Sequence, residues 1–361
     1  IVRSNKDVVG SGCVKDGNGK IVVDDQKILE VWKAHYDKIS NEEFMWNKES
    51  IGGVGAVNGP CEKLSYDEVN KAIQKMKGHK ASGPTGVVAD MIKASGVSGT
   101  EWVTDVCNAV VRDGKVPEDW NKSWMVNVYK GKGDALECGS YRGIKLLEHV
   151  LKILERVIDA RVRRIVKVDD MQFGFMAGKG TTDAIFVVRQ LQENYLAKKK
   201  GLWMAFVDLE KAFDRVPRAV VWWALRKLGV DEWIVPVSVI KSVYEDATTA
   251  VKVNGRVSES FLVRVGVHQG SVLSPLLFII VLEALSREFR GGLPMELLYA
   301  DDLVLLADSM KELIEKVKRW RAGLEEKGLR VNLCKMKIMK CCDVSHQVEK
   351  SGKSPCGVCG N

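Results

Sequence analysis

Leu298-Tyr299-Ala300-Asp301-Asp302-Leu303-Val304-Leu305-Leu306 sets two adjacent carboxylates between two apolar runs, each the length of a buried strand. Charge clustered in such a setting is costly unless something compensates it. Two strands joined by a tight turn would carry the Asp pair at a sheet end, where a divalent cation can balance it. Taken alone, the segment fits an ordinary Asp-Asp hairpin turn equally well. A second acidic position shifts that balance. In Trp203-Met204-Ala205-Phe206-Val207-Asp208 an apolar run stops at Asp208, which puts this carboxylate at the carboxyl end of a strand. Acidic positions about a hundred residues apart can meet on neighbouring strands and hold two Mg²⁺ ions roughly 4 Å apart. That arrangement stabilises both the attacking and the leaving oxygen in phosphoryl transfer.

Between these positions, Gly266-Val-His268-Gln269-Gly270-Ser-Val-Leu-Ser274-Pro275 reads as a glycine-bearing loop feeding a helix, with Ser274 as N-cap and Pro275 at the first helical position. Gly270, without a Cβ, lets the backbone approach a flat ligand, and His268 reads as a loop side chain rather than a metal ligand. Further helices are expected after Asp24-Asp25, with Ile28, Trp32, His35 and Ile39 as the stripe, and from residue 66 after a Ser65/Glu68 capping box. Another is expected after Ser309, with Leu313, Val317, Trp320 and Leu324 inward. Gly52, Gly53, Gly55 and Gly59 mark a linker. Residues 152–167 carry six basic side chains beside Ile153, Leu154, Val157 and Ile158, a helix with one buried and one cationic face. Lys122, Lys130, Lys132, Arg142 and Lys145 form a second basic group, and strand-like runs dominate 203–307.

The composition of the 361 residues, 46% hydrophobic and 28% charged, excludes collagen-like, disordered and disulfide-scaffold classes. No apolar run reaches the ~20 residues that span a bilayer, so no membrane partner is expected. The surplus of 55 Lys+Arg over 47 Asp+Glu, a net +8, suits a polyanionic partner, although solubility alone also accounts for it. Nine cysteines, mostly scattered, read as reduced thiols in an intracellular setting, nucleus or cytoplasm. Cys356-Gly-Val-Cys359 has the spacing of half a zinc site and reads as two free thiols on a tail. Ile1 in place of an initiator Met is expected of a piece of a longer polypeptide. Gly178-Lys179 lacks the upstream glycine of a phosphate loop, and Gly10-Ser-Gly12 lacks the third glycine of a dinucleotide fingerprint.

Phe206–Asp214 (FVDLEKAFD), Gly266–Phe278 (GVHQGSVLSPLLF) and Leu297–Ala307 (LLYADDLVLLA), in this order, resemble the palm of a reverse transcriptase from a non-LTR (LINE-type, Jockey-like) retrotransposon. Upstream, Lys80-Ala-Ser-Gly83-Pro84-Thr85-Gly86 resembles the family's KAxGPDG segment. Tyr129-Lys130-Gly-Lys-Gly133-Asp134 with Tyr141-Arg142-Gly-Ile-Lys-Leu resembles its fingers motifs, and Gln172-Phe-Gly174-Phe its QxGF motif. Gly328-Leu-Arg-Val-Asn332, with Lys335 and Lys337, resembles the motif after the palm helix. The match runs over about residues 60 to 340.

The resemblance implies an α+β right-hand polymerase with fingers and a ferredoxin-like palm, the thumb truncated or absent. On that reading 1–60 is a lead-in helix and linker, 61–200 fingers and the start of the palm, 201–340 palm, and 341–361 a tail. It implies RNA-templated addition of deoxynucleotides to a DNA 3′ end with two Mg²⁺ ions, or Mn²⁺, so that RNA template, DNA primer and dNTPs are the partners. Asp208, Asp301 and Asp302 would be the catalytic carboxylates, Asp208 and Asp301 direct metal ligands, and the Leu209 carbonyl an additional one. Phe213 would exclude a 2′-hydroxyl. Gln269 and Gly270 would border the incoming nucleotide, Lys130 and Arg142 would hold its triphosphate, and Lys335 would be a proton donor to pyrophosphate. Thr85 replaces the family's Asp, and Met176 stands where many relatives have Arg. On this reading no thumb pattern is expected in the residues after Lys340 and no endonuclease in those before the polymerase part. Two other classes are carried beside this one: a nucleic-acid-binding remnant of a decayed element, favoured by truncation, and a two-metal nuclease or phosphatase, which leaves Gln269-Gly270 and the basic residues without a role.

Overall fold

A computed structural model describes residues 12–53, 55, 62–230, 237–291 and 295–341. The Cys356/Cys359 pair and Gly59 lie outside them. In chain order the elements are β1 (Val14–Lys15), β2 (Ile21–Val22), α1 (Asp25–Asn41), α2 (Tyr66–Gln74), α3 (Ala89–Ala94), α4 (Gly96–Asp113), β3 (Lys122–Tyr129), β4 (Tyr141–Leu146), α5 (His149–Ile165) and α6 (Thr181–Ala197). There follow β5 (Leu202–Asp208), α7 (Ala212–Arg215), α8 (Arg218–Lys227), α9 (Val237–Glu245), β6 (Thr248–Val253), β7 (Arg256–Val257), β8 (Phe261–Leu262), α10 (Ser274–Ser286), β9 (Glu296–Tyr299), β10 (Asp302–Ala307), α11 (Met310–Glu325) and β11 (Lys337–Cys341). The stretch expected to be dominated by strands thus also holds three substantial helices. One of them, α10, follows the Ser274-Pro275 start signal as expected, but its Leu276–Leu282 run is apolar on every side, and a short all-apolar run has no periodicity by which strand and buried helix can be told apart.

The chain forms two compact units that do not follow boundaries at 60 and 200: residues 1–42, 55–165 and 230–274 make one, and 43–54, 166–229 and 275–361 the other. In the first, a sheet runs β4-β3-β6-β7, with β8 also on β6. β3 and β4 pair antiparallel, and β3 and β6 pair parallel. The period-2 alternation of β3 sends Met125 inward onto a core of Trp32, Tyr36, Tyr141, Val251 and Phe261. Trp32 stacks on Tyr36 at 5.7 Å between ring centroids and meets Tyr141 edge-on at 5.1 Å, so α1 is part of this core. Tyr36, four residues after Trp32, takes the buried position expected of His35. The Ser65/Glu68 capping box forms as expected at α2, and α5 buries Leu151, Ile153, Leu154, Val157 and Ile158.

The second unit is built on an antiparallel sheet ordered β11-β5-β10-β9. Leu202, Met204, Leu297 and Leu306 pack there with Phe173, and Val187, Val188 and Leu191 of α6 lean on them. α11 is capped by Ser309, whose hydroxyl accepts from the Glu312 N–H at 3.2 Å, and it buries the stripe expected of it. α6 differs from the other long helices in that none of its side chains is buried, and Ile185 and Phe186 stand exposed. Cys107, Cys138 and Cys334 are free thiols.

Candidate active site

β9 and β10 pair with Tyr299 opposite Asp302, so Ala300 and Asp301 alone make the turn. Two-residue hairpin turns need a positive φ at their first position, and Ala300 supplies it at φ 56°, a conformation that costs a non-glycine residue about 1–2 kcal/mol. Asp301 therefore sits in the turn and Asp302 opens β10, directly opposite Asp208 at the end of β5. Three carboxylates converge on one end of one sheet, as the sequence reading expected. Crowding shows in Asp302, which is held above the ordinary Asp range first by loss of solvent and then by the charges of Asp301 and Asp208, while Lys335 opposes the shift.

The segment after α11 straps along the end of β5. The Asn332 N–H donates to the Asp208 carbonyl at 2.8 Å and the Glu210 N–H to the Arg330 carbonyl at 2.8 Å, bonds in which the Leu209 carbonyl takes no part. A turn at Asn332 then brings the Lys335 ammonium to 2.9 Å from Asp208 Oδ2. Phe213 is half-buried, stacked on Phe278 at 4.6 Å and edge-on to Phe175 at 6.3 Å. From Asp302 an open apolar groove of about 280 Å³ runs past Tyr299, Val304 and Phe206 to Ile185 and Val188 of α6. Sequence reasoning missed this groove, because nothing in the pattern of α6 marks which apolar side chains stay uncovered.

In the other unit, Lys130 and Arg142 are exposed on the same face of the β3–β4 hairpin, with Val128 opposite Arg142 and the Lys130 ammonium donating to the Gly139 carbonyl at 2.7 Å. Lys252 lies over the Trp124 ring at 3.9 Å, a cation on this sheet that the sequence reading did not single out. Lys145, counted there among the basic residues, is buried.

The Gln269-Gly270 loop differs from expectation in what it meets. The Lys145 N–H donates to the Gln269 carbonyl at 2.7 Å, and a Cβ on Gly270, at φ 117°, would lie 2.3 Å from the Lys145 carbonyl. The close approach that requires glycine is thus to β4 rather than to a ligand. Beyond it, the Ser271 hydroxyl donates to Glu155 at 2.6 Å and the Val272 N–H at 2.8 Å. Glu155 is 2% exposed, and burial pushes its carboxyl up against the pull of those two bonds. Ser271, not Ser274, receives the N–H groups of Leu273 and Ser274, each at 3.1 Å, where α10 begins, while the Ser274 hydroxyl meets that of Tyr244. His268 lies on the loop, as read from the sequence, but is buried and packs on the Tyr244 ring at 4.4 Å. Thr85, in the place of the family's Asp, donates both its N–H, at 2.9 Å, and its hydroxyl to the buried Glu148, where an Asp would set two carboxylates together.

Mg²⁺ is commonly held by one or two carboxylates plus substrate phosphates rather than by an all-protein cage. No cage of three or more His, Cys, Asp or Glu side chains occurs among the described residues. The donors at this sheet end, hard oxygens crowded enough to raise Asp302 and already drawing the ammonium of Lys335 onto Asp208, fit a divalent ion of that kind.

A family profile described as "Reverse transcriptase (RNA-dependent DNA polymerase)" matches residues 129–353. The probable RNA-directed DNA polymerase from transposon BS of Drosophila melanogaster is 27% identical over 290 residues, covering 78% of this chain and 32% of the relative. The RNA-directed DNA polymerase from mobile element jockey of Drosophila funebris is 25% identical, with 72% and 30% covered. This chain spans about a third of the length of these curated relatives. A solved structure of apo telomerase from Candida tropicalis superposes with a TM-score of 0.46 at 16% identity over 71% of this chain and 57% of that one, a likeness too loose to bear on function. No helix among the described residues is long and apolar enough to cross a membrane.

Proposed function

Because the chain belongs to the reverse transcriptase (RNA-dependent DNA polymerase) family, we propose that it carries the RNA-directed DNA polymerase of a non-LTR retrotransposon, adding deoxynucleotides to a DNA 3′ end along an RNA template. The observation that carries this reading is the pairing of Asp302 with Asp208 across β10 and β5, with Asp301 in the adjoining turn. Asp208 and Asp301 would bind Mg²⁺ directly, helped by the Leu209 carbonyl, and Asp302 adds charge beside them. Bound there, divalent ions supply Lewis acidity to the triphosphate and lower the pKa of the attacking hydroxyl.

The chain's own groups do the rest. Lys335, whose ammonium lies 2.9 Å from Asp208 Oδ2, would give a proton to the leaving pyrophosphate. Phe213, backed by Phe278, offers a ring face against the sugar, and a 2′-hydroxyl would be left without a hydrogen-bond partner there. Lys130 and Arg142 take the triphosphate, the guanidinium in bidentate fashion, and Gln269 and Gly270 border the nucleotide on a loop fixed at Lys145 and Glu155. Primer extension on an RNA template with dNTPs and Mg²⁺ tests the reading: added nucleotides are expected, and protein that binds the primer–template without extending it overturns the proposal.

A further inference from the structure

The Gln172-Phe-Gly174-Phe motif has no part in the chemistry above, yet it touches the turn that presents the carboxylates. Residues 171–173 run beside β9: the Leu298 N–H donates to the Met171 carbonyl at 2.9 Å, and the Phe173 N–H donates to the Leu298 carbonyl at 2.8 Å. Gln172 is thereby turned inward, 1% exposed. Its Oε1 accepts from the Gly174 N–H at 2.9 Å and from the Ala300 N–H at 3.1 Å. An amide oxygen has two lone pairs, so one atom satisfies two buried backbone donors that no water reaches. Gly174 closes the same contact from the other side, since a Cβ there would lie 2.4 Å from the Ala300 nitrogen and 2.9 Å from the Tyr299 carbonyl carbon.

Ala300 is the strained residue of this turn, with φ 56° and almost no exposure. A backbone held in that region persists only where its surroundings over-determine it. Relaxing it would swing Asp301 and the start of β10, because they are the next two residues along the chain. We propose that Gln172 is a positioning residue for the carboxylates: its side-chain oxygen fixes the Ala300-Asp301 turn and so sets where Asp301 and Asp302 stand relative to Asp208. The inference rests on the polymerase reading. It assigns the motif a role in placing the reacting groups rather than in holding nucleic acid.

The test compares Gln172→Leu, which keeps the volume and removes the acceptor, with Gln172→Glu, which keeps an oxygen in reach of both N–H groups. Steady-state primer extension, Mn²⁺ affinity by electron paramagnetic resonance, primer–template Kd and melting temperature are read on each. Displacements of about 1 Å at reacting groups cost on the order of a hundredfold, so Gln172→Leu should lower kcat by roughly ten- to a hundredfold and weaken Mn²⁺ binding several-fold, with primer–template Kd unchanged. Gln172→Glu should stay within about threefold of the wild type on each measure. Gly174→Ala, which crowds the Ala300 nitrogen while leaving Gln172 in place, should reproduce the Gln172→Leu pattern. Wild-type kcat and Mn²⁺ affinity in Gln172→Leu overturn the proposal, as does a loss shared equally by Leu and Glu. If Gln172→Leu does not fold, Gln172→Asn, one methylene short, is held to the same split. A wild type that binds Mn²⁺ but extends no primer overturns the polymerase reading instead, and the Mn²⁺ affinities still decide whether Gln172 sets the carboxylates.

Discussion

Two sets of carboxylates, one in each unit, meet opposite treatment. In the first, Glu155 and Glu148 are buried and each receives two donors from its own chain, from Ser271 and Val272 or from Thr85, while Glu68 takes the Arg161 guanidinium at 2.8 Å. In the second, Asp208, Asp301 and Asp302 crowd one sheet end, and the cation that reaches Asp208 is a lysine whose side chain is 64% exposed. A carboxylate satisfied from within holds a loop. Carboxylates crowded so that Asp302 is raised by its neighbours, with a displaceable ammonium as counter-ion, are set for a ligand from outside.

The sharpest way to break the comparison is to neutralise one member of each set. Asp301→Asn should abolish nucleotide addition, by roughly a thousandfold or about 4 kcal/mol in the barrier, and leave primer–template affinity nearly unchanged. Retained extension would remove the carboxylates from the chemistry. Glu68→Gln should instead act on stability, by about 3 kcal/mol, because it leaves the buried Arg161 charge without its counter-ion. Hydrogen bonding to Arg161 lowers Glu68 from 4.5 to about 2 in the folded protein. A depressed folded value means that this contribution is full above about 4.5 and is lost as pH falls toward about 2. Acid-induced melting in that window should flatten in Glu68→Gln; an unchanged acid limb would place the sensitivity elsewhere.

Phe213 stands next in size. An unpaired hydroxyl costs on the order of 1–3 kcal/mol, so Phe213→Val should raise ribonucleotide over deoxynucleotide incorporation by about ten- to a hundredfold. Its stacking on the fully buried Phe278 also makes a structural role possible on geometry alone. Melting temperature and incorporation ratio measured on one variant separate the two: lost stability at a constant ratio makes Phe213 a packing residue only.

Much of this site was legible because it depends on period and punctuation. Apolar runs ending at Asp208 and flanking Asp301-Asp302 fix three strands and a turn, and local spacing was enough to place the carboxylates at their ends. What the sequence concealed were partners set by tertiary approach. Gly270 announces a close contact but not that its neighbour is the Lys145 carbonyl, and Glu155 reads as one acid among cations until the fold buries it under Ser271. Likewise the six cations of 152–167 suggest one solvated face, whereas Arg161 is turned inward to Glu68 and the carbonyls of Glu62 and Lys63.

That inward turn yields the smallest effect and the finest test. On α5, Arg163 is bound to Asp159 at 2.9 Å and Arg164 is exposed, so the face offers less uncompensated charge than its composition suggests. In the loop after β3, Lys130 and Lys132 are exposed, and the Lys130 ammonium donates to the Gly139 carbonyl. Each cation that displaces a counterion from a phosphate adds about 0.7–0.9 to the slope of log affinity against log salt. Lys130→Ala with Lys132→Ala should therefore flatten the slope for a primer–template by one to two units, and Arg163→Ala with Arg164→Ala by less than one. Titrations between roughly 50 and 200 mM salt resolve that difference. Equal slopes in the two double variants would mean that Asp159 releases Arg163 on binding and that α5, despite its internal ion pairs, lies along the nucleic acid.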